Sequence, residues 1–216
     1  MGRPDPGGRR ANRPGRHRSC APPGRCRRSG RRARRGSVVA VSSVSKGLGK
    51  VEVAVRWDPS PSGAPAHDLD IIAATYTQDA PQGPPEYVVH HDSRAPDGTI
   101  NLNRDSRTGV GLGFDEVMVL ELDRLAERFT RVVVGVVIQQ GEGRLTFGEV
   151  EGTGYRVREG YTDLAEGDFA AVAPNTAVVL AEFARDEHEE WRIREVLRGF
   201  GGDEADFVAA MGELHG

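Results

Sequence analysis

The chain has 216 residues, enough for one sizeable core or two small domains, and a net charge of −3. That near-balance conceals two parts of opposite sign: residues 1–45 hold thirteen Arg, no Lys and one acid (Asp5), about +12, leaving about −15 for residues 46–216. No run of 18 or more apolar residues occurs, which excludes a membrane-spanning helix, and the basic N-terminus has no apolar stretch of signal-peptide length, so a cytoplasmic protein is expected.

Residues 1–40 form an Arg-, Gly- and Pro-rich arm with almost nothing to bury. Such a segment cannot offset its ordering entropy, and disorder is expected. Arginine clusters neutralise phosphates, so nucleic acid is the partner that such an arm could take. It carries no aromatic residue for base stacking, and a start codon assigned too far upstream would produce the same composition. Cys20 and Cys26 both lie in the arm, with no second ligand pair to complete a metal clip.

A single domain is expected over residues 45–200. Val51, Val53, Val55 and Trp57 alternate with Glu52, Ala54 and Arg56, the period of a half-buried strand. Repeated Pro makes Asp58–Pro65 a loop. Strands are expected over Leu69–Tyr76 and Tyr87–His90, the latter paired as a hairpin with Thr99–Leu102 across the turn Ala95-Pro96-Asp97-Gly98. Val117–Leu122 and Val132–Ile138 are β-branched apolar runs, short enough to be central strands, with a helical turn or loop over Asp123–Arg131 between them. Thr146–Val150, Tyr155–Arg158, Thr162–Leu164, Thr176–Arg185 and Glu189–Leu197 complete the set of expected strands. Residues 201–216 are read as a helical tail, with Asp203 capping a helix that places Phe207, Val208 and Met211 on one face. Many short strands with regular turn signals predict an all-β, mainly antiparallel fold: a β-sandwich of two packed sheets with a short C-terminal helix.

The most informative stretch is Arg104 to Glu116. It places glycine at 109, 111 and 113, with Asp105 before them and Asp115-Glu116 after. Glycine lets the backbone turn tightly and bring carbonyls and distant acids around one point. Oxygen ligands on a pliable loop suit Ca²⁺, which takes about 6–8 of them. Asp68 and Asp70, at i and i+2, point the same way if extended. They could meet Asp105, Asp115 and Glu116 where loops gather at one end of a sandwich. Five carboxylates there repel one another unless a cation joins them. Asp105–Glu116 has the length of an EF-hand loop, but Arg107 occupies its third position and Val110 stands where that loop requires Gly. His90-His91-Asp92 is a weak metal pair, since neighbours on a strand face opposite ways; one of these His is expected at an exposed edge. Asp115-Glu116 read as a glycosidase acid/base pair lacks the separation that chemistry needs. Trp57 and Trp191 are expected as core anchors.

The ordered series Trp57-Asp58, Asp68-Leu69-Asp70, Asp97-Gly98, Asp105-Ser106-Arg107-Thr108-Gly109, Gly113-Phe114-Asp115-Glu116, Phe147-Gly148-Glu149-Val150, Asp163-Leu164, Ala177–Glu182 and Glu190-Trp191 resembles the TerD tellurium-resistance family over residues 45–200. The resemblance implies a two-sheet sandwich that binds Ca²⁺ through acidic loops at one end and acts, without catalysis, in bacterial stress resistance. It implies a ligand set of Asp68, Asp70, Asp105, Asp115 and Glu116, completed by Ser106, Thr108 and backbone carbonyls near Gly109. Partner proteins of a membrane-associated stress complex follow by the same analogy. The chain departs from the family pattern at several positions. Ser106 and Phe114 replace an amide and a carboxylate, Val110 and Leu112 stand where acids are common, and Gln139-Gln140 replaces a further acid. Arg104 and Arg107 add positive charge beside the loop. Where the family tends toward two Ca²⁺ sites, one site, or a weakened pair, is therefore expected here. The alternatives are a metal-dependent hydrolase using the same acids, and a nucleic-acid-binding protein acting through the basic arm.

Overall fold

The computed structural model describes residues 46–141 and 143–213. The N-terminal arm, with its expected disorder, its two cysteines and its nucleic-acid reading, lies outside the described residues. Ten strands and one helix follow in chain order: β1 (Lys50–Arg56), β2 (Leu69–Thr77), β3 (Tyr87–Val89), β4 (Ile100–Arg104), β5 (Glu116–Glu121), β6 (Phe129–Ile138), β7 (Gly154–Glu159), β8 (Thr162–Gly167), β9 (Ala177–Arg185), β10 (Trp191–Phe200) and α1 (Glu204–Ala210). All strand pairing is antiparallel. One five-stranded sheet has the order β4-β5-β1-β7-β8 and the other β10-β9-β6-β2-β3. The fold is the expected all-β sandwich with a short C-terminal helix.

The alternation in β1 sends Val51, Val53, Val55 and Trp57 into the core between the sheets, where they join Leu69, Ile71 and Ala73 of β2 and Val132, Val134, Val136 and Ile138 of β6. The continuous apolar runs of β2 and β6 have a separate cause: both faces of the second sheet are covered. The outer-facing set Ile72, Ala74, Tyr76, Val133, Val137, Ala177 and Val179 is closed over by Phe207 and Met211 of the helical tail. Asp203 caps that helix by accepting the Asp206 N–H at 2.9 Å. Trp57 and Trp191 are both buried core residues.

Three local expectations give way. Tyr87–Val89 and Ile100–Arg104 do not form a hairpin: β3 pairs with β2 and β4 with β5, so the Ala95–Gly98 turn carries the chain from one sheet to the other. Alternation in such short strands says which face is buried but not which strand is the neighbour. Thr146–Val150 is a 3-10 turn over Phe147–Glu149 rather than a strand. The Glu149 carboxylate accepts both the N–H and the hydroxyl of Thr146, at 2.9 and 2.7 Å, a capping box that overrides the β-branched ends. The expected helical turn or loop over Asp123–Arg131 is present, as a 3-10 turn over Leu122–Arg124 and a loop after it, but its end gives way: β6 already begins at Phe129, which is buried.

Gly135, at the centre of β6, makes the helix-on-sheet contact possible. A Cβ there would overlap the Phe207 ring and lie 2.6 Å from the Val178 carbonyl oxygen. Gly135→Ala is therefore expected to cost about 1–3 kcal/mol, a drop of roughly 3–10 °C in Tm by thermal denaturation. Gly141→Ala, where nothing lies within 4 Å, should change Tm little. Equal losses in the two variants would contradict this packing.

Candidate metal centre

Acidic side chains from three elements converge at one end of the sandwich. Asp70 is the second residue of β2, Glu116 the first of β5, and Asp105 directly follows β4. One carboxylate oxygen from each lies within 4.8 Å of the other two. Asp70 and Glu116 are buried and Asp105 is exposed, so the cluster has an inner wall and an outer rim.

Glu116 ties the two sheets together. Its Oε2 accepts the Ile71 N–H across the sandwich at 2.6 Å, while its Oε1 is buried and accepts nothing from any described residue. Asp68 Oδ1 is in the same position. A buried carboxylate oxygen without a donor is expensive to desolvate. Burial, and then the neighbouring Asp70, push the Glu116 carboxyl up to about 10; the Ile71 N–H opposes this, and Asp105 and Asp68 add to it. Asp68 is raised to about 6 by partial burial and by Asp70 and Asp105, with Arg107 and His91 pulling the other way. Burial also raises Asp70, against the Gln139 amide and His91.

Two elements distant in sequence complete the surroundings. Gln139, just past β6, donates from Nε2 to Asp70 Oδ2 at 2.5 Å and to Glu204 Oε2 of α1 at 2.7 Å. His91 places Nδ1 3.4 Å from Asp70 Oδ2 and Nε2 3.1 Å from Asp92. His90 and His91 do not divide into an edge and a core residue: both are half-buried, with His90 Nδ1 3.8 Å from Glu204. The chain reverses at the His90–Ser93 bridge, so strand alternation does not govern them. His91 and Glu204 are the neighbours that sequence reasoning missed. Glu204 is brought in by tertiary packing alone, and a His-His-Asp triplet carries no mark of its target.

Asp115 stands apart from this cluster. Adjacent strand residues point to opposite faces, and its Oδ2 accepts the Trp57 N–H at 3.1 Å on the other side of β5. There it lines a separate cleft of about 390 Å³ with Asp58, Trp57 and Gly109–Gly113. Gly109, at φ +64°, rests against the Trp57 indole, where any Cβ would clash. Thr108 Oγ1 takes a long bond from the Val110 N–H (3.4 Å), and Ser106 is a half-buried neighbour of Asp105. The structure thus brings Asp70, Asp105 and Glu116 together with Asp68 beside them, and places Asp115 apart from them, in the cleft that Gly109–Gly113 also line. The divergence of Asp115 and Glu116 also rules out a facing acid/base pair. Phe114 lies under the Arg156 guanidinium, 4.5 Å from its ring centroid.

The donor set at the cluster is hard oxygen, partly on a pliable loop. It therefore fits Ca²⁺ better than a soft or strictly octahedral ion. Among the described residues no helix is long and apolar enough to cross a membrane.

Comparison with known proteins agrees with this architecture. The family model described as the TerD domain matches residues 32–210, well over half of the chain. The tellurium resistance protein TerD of Serratia marcescens is 27% identical over 183 residues, 82% of this chain and 95% of that one. General stress protein 16U of Bacillus subtilis (strain 168) is 25% identical over 189 residues, again 82% and 95%. The crystal structure of a homologue of telluride resistance protein (TerD) from Streptomyces coelicolor A3(2) is 52% identical. It superposes with a TM-score of 0.75, covering 77% of this chain and 98% of the other. The chain belongs to the TerD family.

The raised carboxyls set the sign of a pH dependence in chelator. A carboxyl whose pKa is higher folded than unfolded contributes stability that is complete below its unfolded value and is lost as pH rises through its folded value. For Asp68 that window runs from about 4 to about 6, and for Glu116 from about 4.5 to about 10. The metal-free protein should therefore lose Tm from pH 6 to 9, and Glu116→Gln, which keeps an acceptor for Ile71, should flatten the decline. Identical slopes in the two proteins would remove Glu116 as its source.

Proposed function

We propose that this member of the TerD family is a Ca²⁺-binding β-sandwich that serves, without catalysis, as a module of bacterial stress resistance of the tellurium type. The observation that carries the reading is the knot of Asp70, Asp105 and Glu116, with one buried oxygen of Glu116 left without a donor. These three side chains, with Asp68 beside them, would hold the ion. It would supply the positive charge that the site lacks and fix the β4–β5 loop against β2. Among the described residues this is the one group of three or more acids, His or Cys close enough to share an ion, which favours a single site. Arg107, close enough to Asp68 to lower its pKa, tempers the affinity.

The stress role is carried over from the tellurium resistance and general stress proteins it resembles over most of their length. A cytoplasmic setting, and partner proteins in a membrane-associated stress complex, belong to the same reading. A metal-dependent hydrolase is the second reading. His91 favours it, as a titratable side chain beside Asp70 that could serve as a base. Turnover of phosphoester or glycoside substrates, lost on His91→Ala, would establish it in place of the first.

The test of the leading reading is calorimetric titration of the full chain with Ca²⁺. About one ion per chain should bind, raising Tm because only the folded state holds it. Asp70→Asn should weaken binding tenfold or more, about 1.4 kcal/mol. Asp115→Asn, which can still accept from Trp57, should leave the affinity within about threefold. Absence of binding heat and of any Tm shift at millimolar Ca²⁺ would contradict the reading. Equal losses in the two variants would relocate the ion.

A further inference from the structure

The loop that carries Asp105 ends in an apolar tip. Val110 is 69% exposed and Leu112 95% exposed. Among the described residues, Tyr161 is the one other large hydrophobic side chain so exposed. It sits at the opposite end of the first sheet, because β1 pairs Val51 with Glu159 but Arg56 with Gly154. Single exposed apolar residues are ordinary. Two of them at i and i+2, on the loop that supplies a candidate cation ligand, form a localised feature.

The loop's construction keeps that tip outward. Its base is fixed at both ends, by Gly109 against the Trp57 indole and by Phe114 under Arg156. Glycines at 109, 111 and 113 flank the two apolar residues and add no side chain that could cover them. Arg104, the last residue of β4, and Arg107, on the loop itself, are both exposed. A projecting tip with two aliphatic side chains, a basic collar and a cation site at its root has the chemistry of a surface that enters the edge of an anionic bilayer. The aliphatic groups leave water for the acyl boundary, and the arginines meet lipid phosphates.

Charge makes the ion decisive. Residues 46–216 carry about −15, and Asp68, Asp70, Asp105 and Glu116 lie at the root of the loop. Without a cation the net negative charge of the domain opposes the approach of anionic headgroups. A divalent ion among them lowers that charge locally, and Ca²⁺, which takes about 6–8 oxygens, keeps coordination positions beyond one oxygen each from Asp70, Asp105 and Glu116 that headgroup phosphate oxygens can fill. We infer that Val110 and Leu112 form a Ca²⁺-dependent membrane-insertion tip that docks the protein on anionic lipid. The inference rests on the Ca²⁺ reading above and adds a partner to the same site.

The test places a reporter at the tip. In the full-length Leu112→Trp variant the native Trp57 and Trp191 are 2% and 3% exposed and give a steady background. With Ca²⁺ and vesicles of phosphatidylcholine containing phosphatidylglycerol, the new emission should shift to the blue. It should return on chelation and stay unshifted with phosphatidylcholine alone. In a second variant, Val110→Ser with Leu112→Ser, Ca²⁺-dependent vesicle partitioning should fall by roughly ten- to a hundredfold. Bound Ca²⁺ by calorimetry without a blue shift would overturn the insertion and leave the Ca²⁺ reading standing. No bound Ca²⁺ and no shift would take both down. A shift that survives chelation, or partitioning unchanged in the double variant, would also overturn the inference. The first removes the ion from the mechanism, and the second reduces the contact to charge, including that of the arginine arm. Tip-dependent, Ca²⁺-dependent binding to another protein with no response to vesicles would overturn it in favour of a protein partner.

Discussion

A carboxylate carried into the seam between two sheets is the constraint around which this domain is arranged. Glu116 leaves β5 in the first sheet and accepts the Ile71 N–H of β2 in the second. One of its oxygens is thereby used in holding the sandwich together, and the other is buried and undonated, in a carboxyl that lies beside those of Asp70 and Asp105. An apolar residue there would satisfy the core but abandon the Ile71 N–H. The acid satisfies it and creates a charge that burial and Asp70 both oppose. A cation is the natural complement to such a group, because it lowers the cost of ionising several carboxyls at once.

Two further residues extend that constraint outward. Trp57 donates its backbone N–H to Asp115 and its indole N–H to the His67 carbonyl at 2.8 Å, so one core residue holds the segments before β5 and before β2 together. Gln139 shares one amide between Asp70 and Glu204, linking the cluster to the N-terminal turn of α1. The helix is anchored on the outer face of the second sheet by Phe207 in the space left by Gly135. A change in the charge of Asp70 therefore reaches both a sheet and a helix through direct hydrogen bonds.

Much of this was legible in the sequence, for physical reasons that differ by residue. The alternation of Val51, Val53, Val55 and Trp57 predicted a strand and its inward face, and the apolar run Val132–Ile138 marked a central strand, whereas the cover on the outer face of its sheet was not read from it. The meeting of Asp70 with Asp105 and Glu116 was foreseen from loops gathering at one end of a sandwich. The separation of Asp115 followed from the same rule of alternation that had been used for Asp68 and Asp70, but was not drawn from it. The Thr146–Glu149 capping box was readable as Thr-x-x-Glu, and β propensity at its ends obscured it. Strand partners were not readable for β3 and β4. Nor were His91 and Glu204 as neighbours of Asp70, since sheet order and helix docking bring them there over distances that no local pattern spans.

Anomalous diffraction from crystals of the full chain soaked in Ca²⁺ is the most direct measurement of the central claim. A peak bounded by the carboxylates of Asp70, Asp105 and Glu116, at about 2.3–2.6 Å from the coordinating oxygens, is the predicted result. A peak instead in the cleft beside Asp58 and Asp115, or no peak in crystals whose other features are unchanged, would contradict it.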